Sequence, residues 1–330
     1  MNDGWADRTV FLTGGGGFVG SWLAKALVER GATLVCLLTD EERTSKLDLH
    51  GIADRVAVIR GSVVDFDCLT GAFEKYRPAA CFHLAAQAIV GSANQSPVPT
   101  FETNVRGTWN VLEACRRSES VERVIVASSD KAYGDQPVLP YTEDLPLSGT
   151  YPYDASKACA DIVAHSYALT YGMNVAVTRM ANIYGGGDFN ASRIVPGTIR
   201  SILLGEVPLI RSDGTPVRDY LHVSDAVAAY LLLGSQRPET LNGQAFNFGT
   251  NSPVSVRELV DLIIDAMGAG VEPEILSPTK LHGEIDRQYL DSTKAREVLG
   301  WQARIPLRAG LEDTVTWYRE HPVDHWLQTE

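Results

Sequence analysis

A Rossmann-like, doubly wound parallel α/β sheet is the fold this sequence predicts. Three observations predict it. Short, continuous aliphatic runs recur through the first half of the chain and read as strands buried on both faces. Segments of helix length separate them, as crossovers between parallel strands require. The first run, "TVFLTG", passes straight into a glycine cluster and then a helix pattern, the arrangement of a strand-turn-helix unit that meets a phosphate.

In order, the predicted strands are "TVFLTG", "TLVCLL", "VAVIRG", "ACFHLAA", "RVIVASS" and "NVAVTRM". The first helix is expected from Val19 to Arg30, ending at Gly31, whose missing Cβ permits a left-handed closing residue. Another follows Asp154 and ends near Gly172, with Ala158, Ile162, Ala164 and Leu169 among its small or apolar positions. Beyond Ile183 the texture changes to Gly, Pro and loops. The expected organisation is therefore a dinucleotide-binding domain over 1–182 and a smaller mixed α/β substrate lobe over most of 183–330. "DAVAAYLLLGS" and "FNFGT", near 222–250, are expected to return to the main sheet.

At 330 residues the chain is long enough for one large core and a lesser lobe. A formal charge of −12 argues against nucleic acid or an anionic membrane as the partner, because both reward a basic surface. No run is long enough to span a bilayer, and "MNDGWADRT" lacks the basic start and apolar stretch of a secretory signal, so a cytoplasmic protein is expected. The five cysteines (Cys36, Cys68, Cys81, Cys115, Cys159) are scattered, mostly within apolar segments and without a CxxC or Cys/His cluster. They read as buried thiols, with no disulfide framework and no metal site.

"TVFLTGGGGFVGSWLAKALVERG" sets Gly14, Gly17 and Gly20 between a strand and a helix. That spacing lets the chain turn sharply, lets backbone approach a pyrophosphate at the helix N-terminus, and lets the helix lie close to the sheet. A dinucleotide follows. Further on, "YPYDASK" places Tyr153 and Lys157 four apart on one helix face. A protonated amine near a phenol favours phenolate, so the pair can take a proton from a sugar hydroxyl as hydride leaves for a nicotinamide. Strand ends at the carboxyl edge of such a sheet face the ligand crevice, which sets Asp130 and Lys131 of "RVIVASSDKAYG" beside that chemistry. An acid and an amine there suggest a proton-transfer step beyond hydride transfer. Arg193 in "SRIVP" and Arg218 in "TPVRDY" are the candidates to meet an anionic substrate, with Asn182 at the seam between the domains.

These motifs resemble the extended short-chain dehydrogenase/reductase superfamily over nearly the whole chain. Thr13, Gly14, Gly17 and Gly20 match its TGxxGxxG loop, "HLAAQ" looks like its fourth-strand end, and "TNVRGTWNVLEA" looks like the helix carrying its structural Asn, here Asn104. The resemblance implies an NAD site built from Gly14, Gly17, Phe18, Val19, Gly20, Asp40, Ser62, Val63, Leu84, Ala85, Ala86, Gln87, Asn104, Tyr153 and Lys157. It implies Tyr153 as base, Lys157 as its partner and ribose ligand, and Ser129 as the hydroxyl bonded to the same reacting oxygen. Two departures stand out. Leu38 occupies the place of the acid that many NAD-using relatives carry at the second-strand end, and Ser62 replaces the usual Asp near the adenine. Asp40 reaches a ribose in the NAD reading, whereas Arg43 faces a 2′-phosphate if the cofactor is NADP.

Among such enzymes the nucleotide-sugar 4,6-dehydratases commonly read Asp-Glu at the position of Asp130-Lys131, with Asp as acid and Glu as base. Asp-Lys is similar to the CDP-glucose 4,6-dehydratases, as is "NIYGGGDFNASRIVPGTIRSI". Oxidation of a hexose at C4 acidifies the C5 proton, and water then leaves across C5 and C6 if one group takes that proton and another protonates the departing hydroxyl. Lys131 serves either as that base or as a cation stabilising the enolate. The resemblance places Arg218 on the diphosphate of an NDP-hexose, gives Gln87 and Ser129 substrate contacts, and implies a homodimer through the helices near residues 102–117 and 154–171. An NAD-dependent 4- or 2-epimerase and a non-catalytic NAD-binding scaffold are the other readings.

Overall fold

The computed structural model describes residues 4–39, 45–277 and 285–321. Six of its strands are the expected ones: β1 (Thr9–Thr13), β2 (Thr33–Leu38), β3 (Val56–Arg60), β4 (Ala80–His83), β5 (Arg123–Ala127) and β6 (Val175–Met180). With Ala245–Phe248 they form a seven-stranded sheet in the order Ala245–Phe248, β6, β5, β4, β1, β2, β3, with every pairing parallel. Alternate side chains enter two separate apolar clusters. Val10, Leu12, Leu34 and Cys36 join one, whereas Phe11, Val35 and Leu37 join the other. Period-two alternation with both sides apolar is why these strands read as unbroken aliphatic runs.

Between β1 and β4 the strand order reverses, and the crevice beyond their carboxyl ends is where such a sheet holds ligands. The first helix, Phe18–Glu29, begins one residue earlier than expected and closes through Arg30, with Gly31 at φ 83° just beyond it. The helix Pro152–Tyr171 begins two residues before Asp154. Proline is suited to its opening turn because no intrahelical partner awaits an N–H there. "DAVAAYLLLGS" forms the helix Val223–Ser235, whose Ala226, Ala229, Tyr230 and Leu233 enter the first apolar cluster, while "FNFGT" supplies the strand beside β6.

The cysteine expectation needs correcting. Cys36, Cys81 and Cys115 are buried, Cys68 is half-buried and Cys159 is exposed. Cys159 shares the outer face of the helix Pro152–Tyr171 with Ile162 and Leu169, both exposed. Their spacing of three and seven residues turns them away from the core together. Among the described residues no group of three or more His, Cys, Asp or Glu side chains is arranged to hold a metal, and no helix is long and apolar enough to cross a membrane.

Beyond β6 the helices Ile194–Leu203, Val256–Met267 and Leu307–Glu320 share a third apolar cluster that includes Tyr184, Ile199, Leu259, Ile263, Leu311 and Tyr318. A capping box of Ser255 and Glu258 fixes the start of the second of these helices. Next to it lies a small sheet. Its central strand, Val217–Arg218, pairs antiparallel with Val254–Ser255 and parallel with Arg287–Gln288, which makes Gln288 the register partner of Arg218.

Candidate active site

On one side of the crevice the chain is shaped by close backbone contact. Gly14 sits at φ 74°, and a Cβ on it would lie 2.7 Å from the Ala85 backbone nitrogen. A Cβ on Gly20 would collide with the Gly14 carbonyl oxygen. The Gly17 N–H donates to that same carbonyl at 3.0 Å. Thr13 Oγ1 accepts from the Ala85 N–H at 3.1 Å and meets His83 Nδ1 at 2.8 Å, tying the end of β1 to the end of β4. Gly17 stands at the cap position before Phe18 and offers the first helix no side-chain cap, and no acidic side chain lies between Thr13 and Gly20. An uncapped helix start with close-packed glycines fits a dinucleotide's pyrophosphate.

The remaining expected cofactor residues divide. Phe18 is buried in the first apolar cluster, and Val19, Leu84, Ala85, Ala86 and Gln87 are partly exposed. Val63 is buried against the helix Gly107–Arg117, with its side chain in the core and its carbonyl accepting from Asn110 Nδ2 at 3.1 Å. Ser62 Oγ accepts from the Val64 N–H. Asn104 is fully engaged by protein. Its Oδ1 accepts from the Gln87 N–H (2.7 Å), and its Nδ2 donates to the Gln87 carbonyl (3.0 Å) and to Ser156 Oγ (2.8 Å). Ser156 Oγ in turn donates to the Tyr153 carbonyl at 2.7 Å, so Asn104 clamps the β4 end to the helix that bears the phenol. Asp40 and Arg43 lie outside the described residues.

On the other side, β5 ends at Ala127 and a short 3₁₀ turn covers Asp130–Tyr133. Ser129 Oγ donates to Asp130 Oδ1 (3.0 Å), accepts from the Lys131 N–H (3.2 Å) and lies close enough to the Tyr153 phenol to favour its ionised form. Lys157 Nζ donates to the Ala127 carbonyl at 2.7 Å. Ser129, Asp130, Lys131, Tyr153 and Lys157 are thus gathered at one strand end.

Their electrostatics differ from the expectation that Lys157 would pull Tyr153 down. Burial dominates and pushes the phenol up to about 12; the Ser129 bond and the Arg193 charge pull against it, while Asp130 and Asp154 add to it. Lys157 is itself brought down to about 8 by burial, with Asp161 opposing. Withdrawal from water outweighs the neighbouring charge for both groups. His83, held between Thr13 Oγ1 and Thr108 Oγ1, falls to about 3 through burial first and the Lys157 charge second, so it stays neutral at ordinary pH.

Two residues that the sequence reading did not assign to the site join this cluster. Asp154 is buried in the first turn of the helix Pro152–Tyr171, and burial raises its carboxyl to about 6, with Lys131 opposing and Asp130 reinforcing the rise. Its signal was available, an acid directly after the tyrosine of "YPYDASK". Gln288 is fully buried; its Nε2 donates to the Asp130 carbonyl at 3.1 Å, and Lys131 Nζ donates to its Oε1. Nothing local in "DRQYLD" marks it.

The expected substrate residues are each held by nearby protein groups. Arg193 Nη1 pairs with Asp188 Oδ2 at 2.9 Å and is close enough to Tyr153 for its charge to act on the phenol. Arg218 is buried and donates to the Val217 carbonyl at 2.8 Å. Asn182 Nδ2 donates to the Asp219 carbonyl at 3.3 Å.

With this geometry in hand, comparison with known proteins is direct. Residues 10–249 match the NAD dependent epimerase/dehydratase family. The chain is 34% identical over 313 residues to the UDP-glucose 4-epimerase of Mycolicibacterium smegmatis, covering 93% of this chain and 97% of that protein. It is 30% identical over 343 residues to the CDP-glucose 4,6-dehydratase of Salmonella typhimurium, covering 99% and 93%. The crystal structure of UDP-glucose 4-epimerase from Thermotoga maritima with UDP-glucose superposes with a TM-score of 0.87 at 30% identity, covering 95% of this chain and 99% of the other. The chain belongs to the NAD dependent epimerase/dehydratase family, and NAD is its cofactor.

Proposed function

We propose that this member of the family is a nucleotide-sugar 4,6-dehydratase, converting an NDP-hexose, with CDP-glucose the first candidate, to the NDP-4-keto-6-deoxyhexose. The observation that supports the reading is the shared wall of Ser129, Asp130, Lys131 and Tyr153, because an acid and an amine beside the tyrosine and serine suit an elimination that simple C4 oxidation does not need. Bound NAD would supply a hydride acceptor for C4, a positive charge that favours phenolate, and the return of that hydride to C6. Gly14, Gly17 and Gly20 would hold its pyrophosphate, and Lys157 its ribose. Tyr153 takes the proton of the C4 hydroxyl, with Ser129 bonded to the same oxygen. Lys131 takes the C5 proton, and Asp130 protonates the C6 hydroxyl as it departs. Arg193 and Arg218 offer guanidinium forks to the diphosphate, with Asn182 assisting them.

A 4-epimerase is the second reading, favoured by the 34% identity to the mycobacterial UDP-glucose 4-epimerase. Mass spectrometry separates the two. Incubation with CDP-, UDP-, GDP- and dTDP-hexoses is expected to yield a product lighter by one water from one of them, without net consumption of NAD. A product of unchanged mass assigns the epimerase.

The same reading extends to assembly as a homodimer. Phe101, Trp109, Ile162, Leu169 and Tyr171 are large, apolar and exposed on the segments near 102–117 and 154–171, and a second copy would cover them. Sedimentation is expected to give twice the chain's mass and to return to one chain's mass in Trp109→Arg; a wild type that sediments as one chain refutes the pairing.

A further inference from the structure

We infer that Gln288 is the residue that positions the proton-transfer pair, so the substrate lobe sets the geometry of the elimination step; the inference rests on the dehydratase reading. The chemistry of its partners fixes how the amide is turned. The Asp130 carbonyl can only accept, so the Gln288 end facing it at 3.1 Å is Nε2. With Nε2 placed there, the amide end left to face Lys131 is Oε1, which accepts from Nζ. One planar carboxamide thus spans two consecutive residues at once. The bond from Nζ restrains the direction of the amine and so of its lone pair, while the bond to the Asp130 carbonyl holds the 3₁₀ turn on which Asp130 and Lys131 both sit.

Two further observations support a positioning role over simple packing. Gln288 is fully buried, where a polar side chain persists only with its hydrogen bonds made, and both of its amide ends are used on the proton-transfer residues. It also stands on the strand Arg287–Gln288, in register with Arg218. Grip on an anionic substrate at Arg218 and alignment of Asp130 and Lys131 therefore reside in neighbouring strands of one small sheet. A ligand that settles this sheet settles the pair with it.

The test uses the intact enzyme loaded with NAD and the NDP-hexose that wild type dehydrates. Gln288→Met keeps the length of the side chain and loses both bonds. Stopped-flow absorbance at 340 nm follows C4 oxidation, and mass spectrometry in D₂O follows C5 exchange and water loss. In the variant, oxidation and KM are expected to stay within about threefold of wild type while water loss and C5 exchange slow by about a hundredfold, so reduced cofactor accumulates; tenfold corresponds to about 1.4 kcal/mol. Gln288→Asn, one methylene shorter, can reach only one partner and is expected to slow the same step by about tenfold. Equal slowing of oxidation and elimination, or no slowing of either, overturns the inference. So does loss of folding in both variants, which would make the residue structural. The wild type tests the underlying reading separately, since absence of any lighter product refutes the dehydratase without reference to Gln288.

Discussion

Thr13 to Gly20 and Ser129 to Lys131 stand at the ends of two strands of one sheet and border one crevice, yet they are held by opposite means. The glycine loop is fixed largely from within. Gly20 lies against the Gly14 carbonyl, the Gly17 N–H bonds to that carbonyl, and Gly14 lies against Ala85 at the next strand end. The acid and amine are fixed from afar, by Gln288 some 157 residues beyond Lys131, and they share their surroundings with the buried Asp154. A ligand common to many enzymes is met by backbone geometry that a short motif can encode. The groups proposed to decide the reaction hang instead on a residue of the separate small sheet, where substitution can retune them away from the glycine loop.

If that contrast holds, the largest effect comes from disturbing the locally held side. Gly20→Ala puts a methyl into the Gly14 carbonyl, where backbone and not a flexible side chain must yield. Overpacking of this kind costs about 1–3 kcal/mol or more. The expected outcome is a weakening of NAD affinity by at least about tenfold, read by isothermal titration calorimetry, with a lowered Tm. Wild-type affinity in this variant would show that the loop tolerates rearrangement and that its geometry is not what admits the cofactor.

The same contrast explains what could be read from the sequence. Six strands, the glycine loop and the Tyr153/Lys157 pair were legible because each is a pattern within a few residues of chain. Ile162 and Leu169 carry the apolar character of core positions, but helical spacing turns them outward with Cys159, and only packing reveals which face is covered. The direction of the Tyr153 shift was not legible either. Sequence shows that Lys157 is one turn away, whereas burial, which outweighs the charge, depends on how the whole crevice closes. Gln288 was invisible for the same reason, since a single amide in "DRQYLD" meets Asp130 and Lys131 only when distant segments of the chain come together.

The smallest predicted effect sharpens the comparison from the distantly held side, through the carboxyl that burial raises. Asp154 binds its proton with a pKa of about 6 in the folded chain, against 3.8 as its ordinary value. Between those two values the folded state keeps a proton that the unfolded chain has released, so this group's contribution to stability falls as pH rises through that window. The penalty is absent below the lower value and complete above the upper one. Asp154→Asn removes the titration. Its Tm relative to wild type is therefore expected to rise from no gain near pH 4 to a gain of about 3 °C near pH 7, measured by differential scanning calorimetry across that range. Lys131 opposes the burial and loses a carboxylate neighbour in the variant, which trims the gain without reversing its slope. A variant less stable than wild type by a margin that grows toward pH 7 would mean that attraction to Lys131 exceeds the cost of burial, and that the acid and amine are held by Asp154 as well as by Gln288.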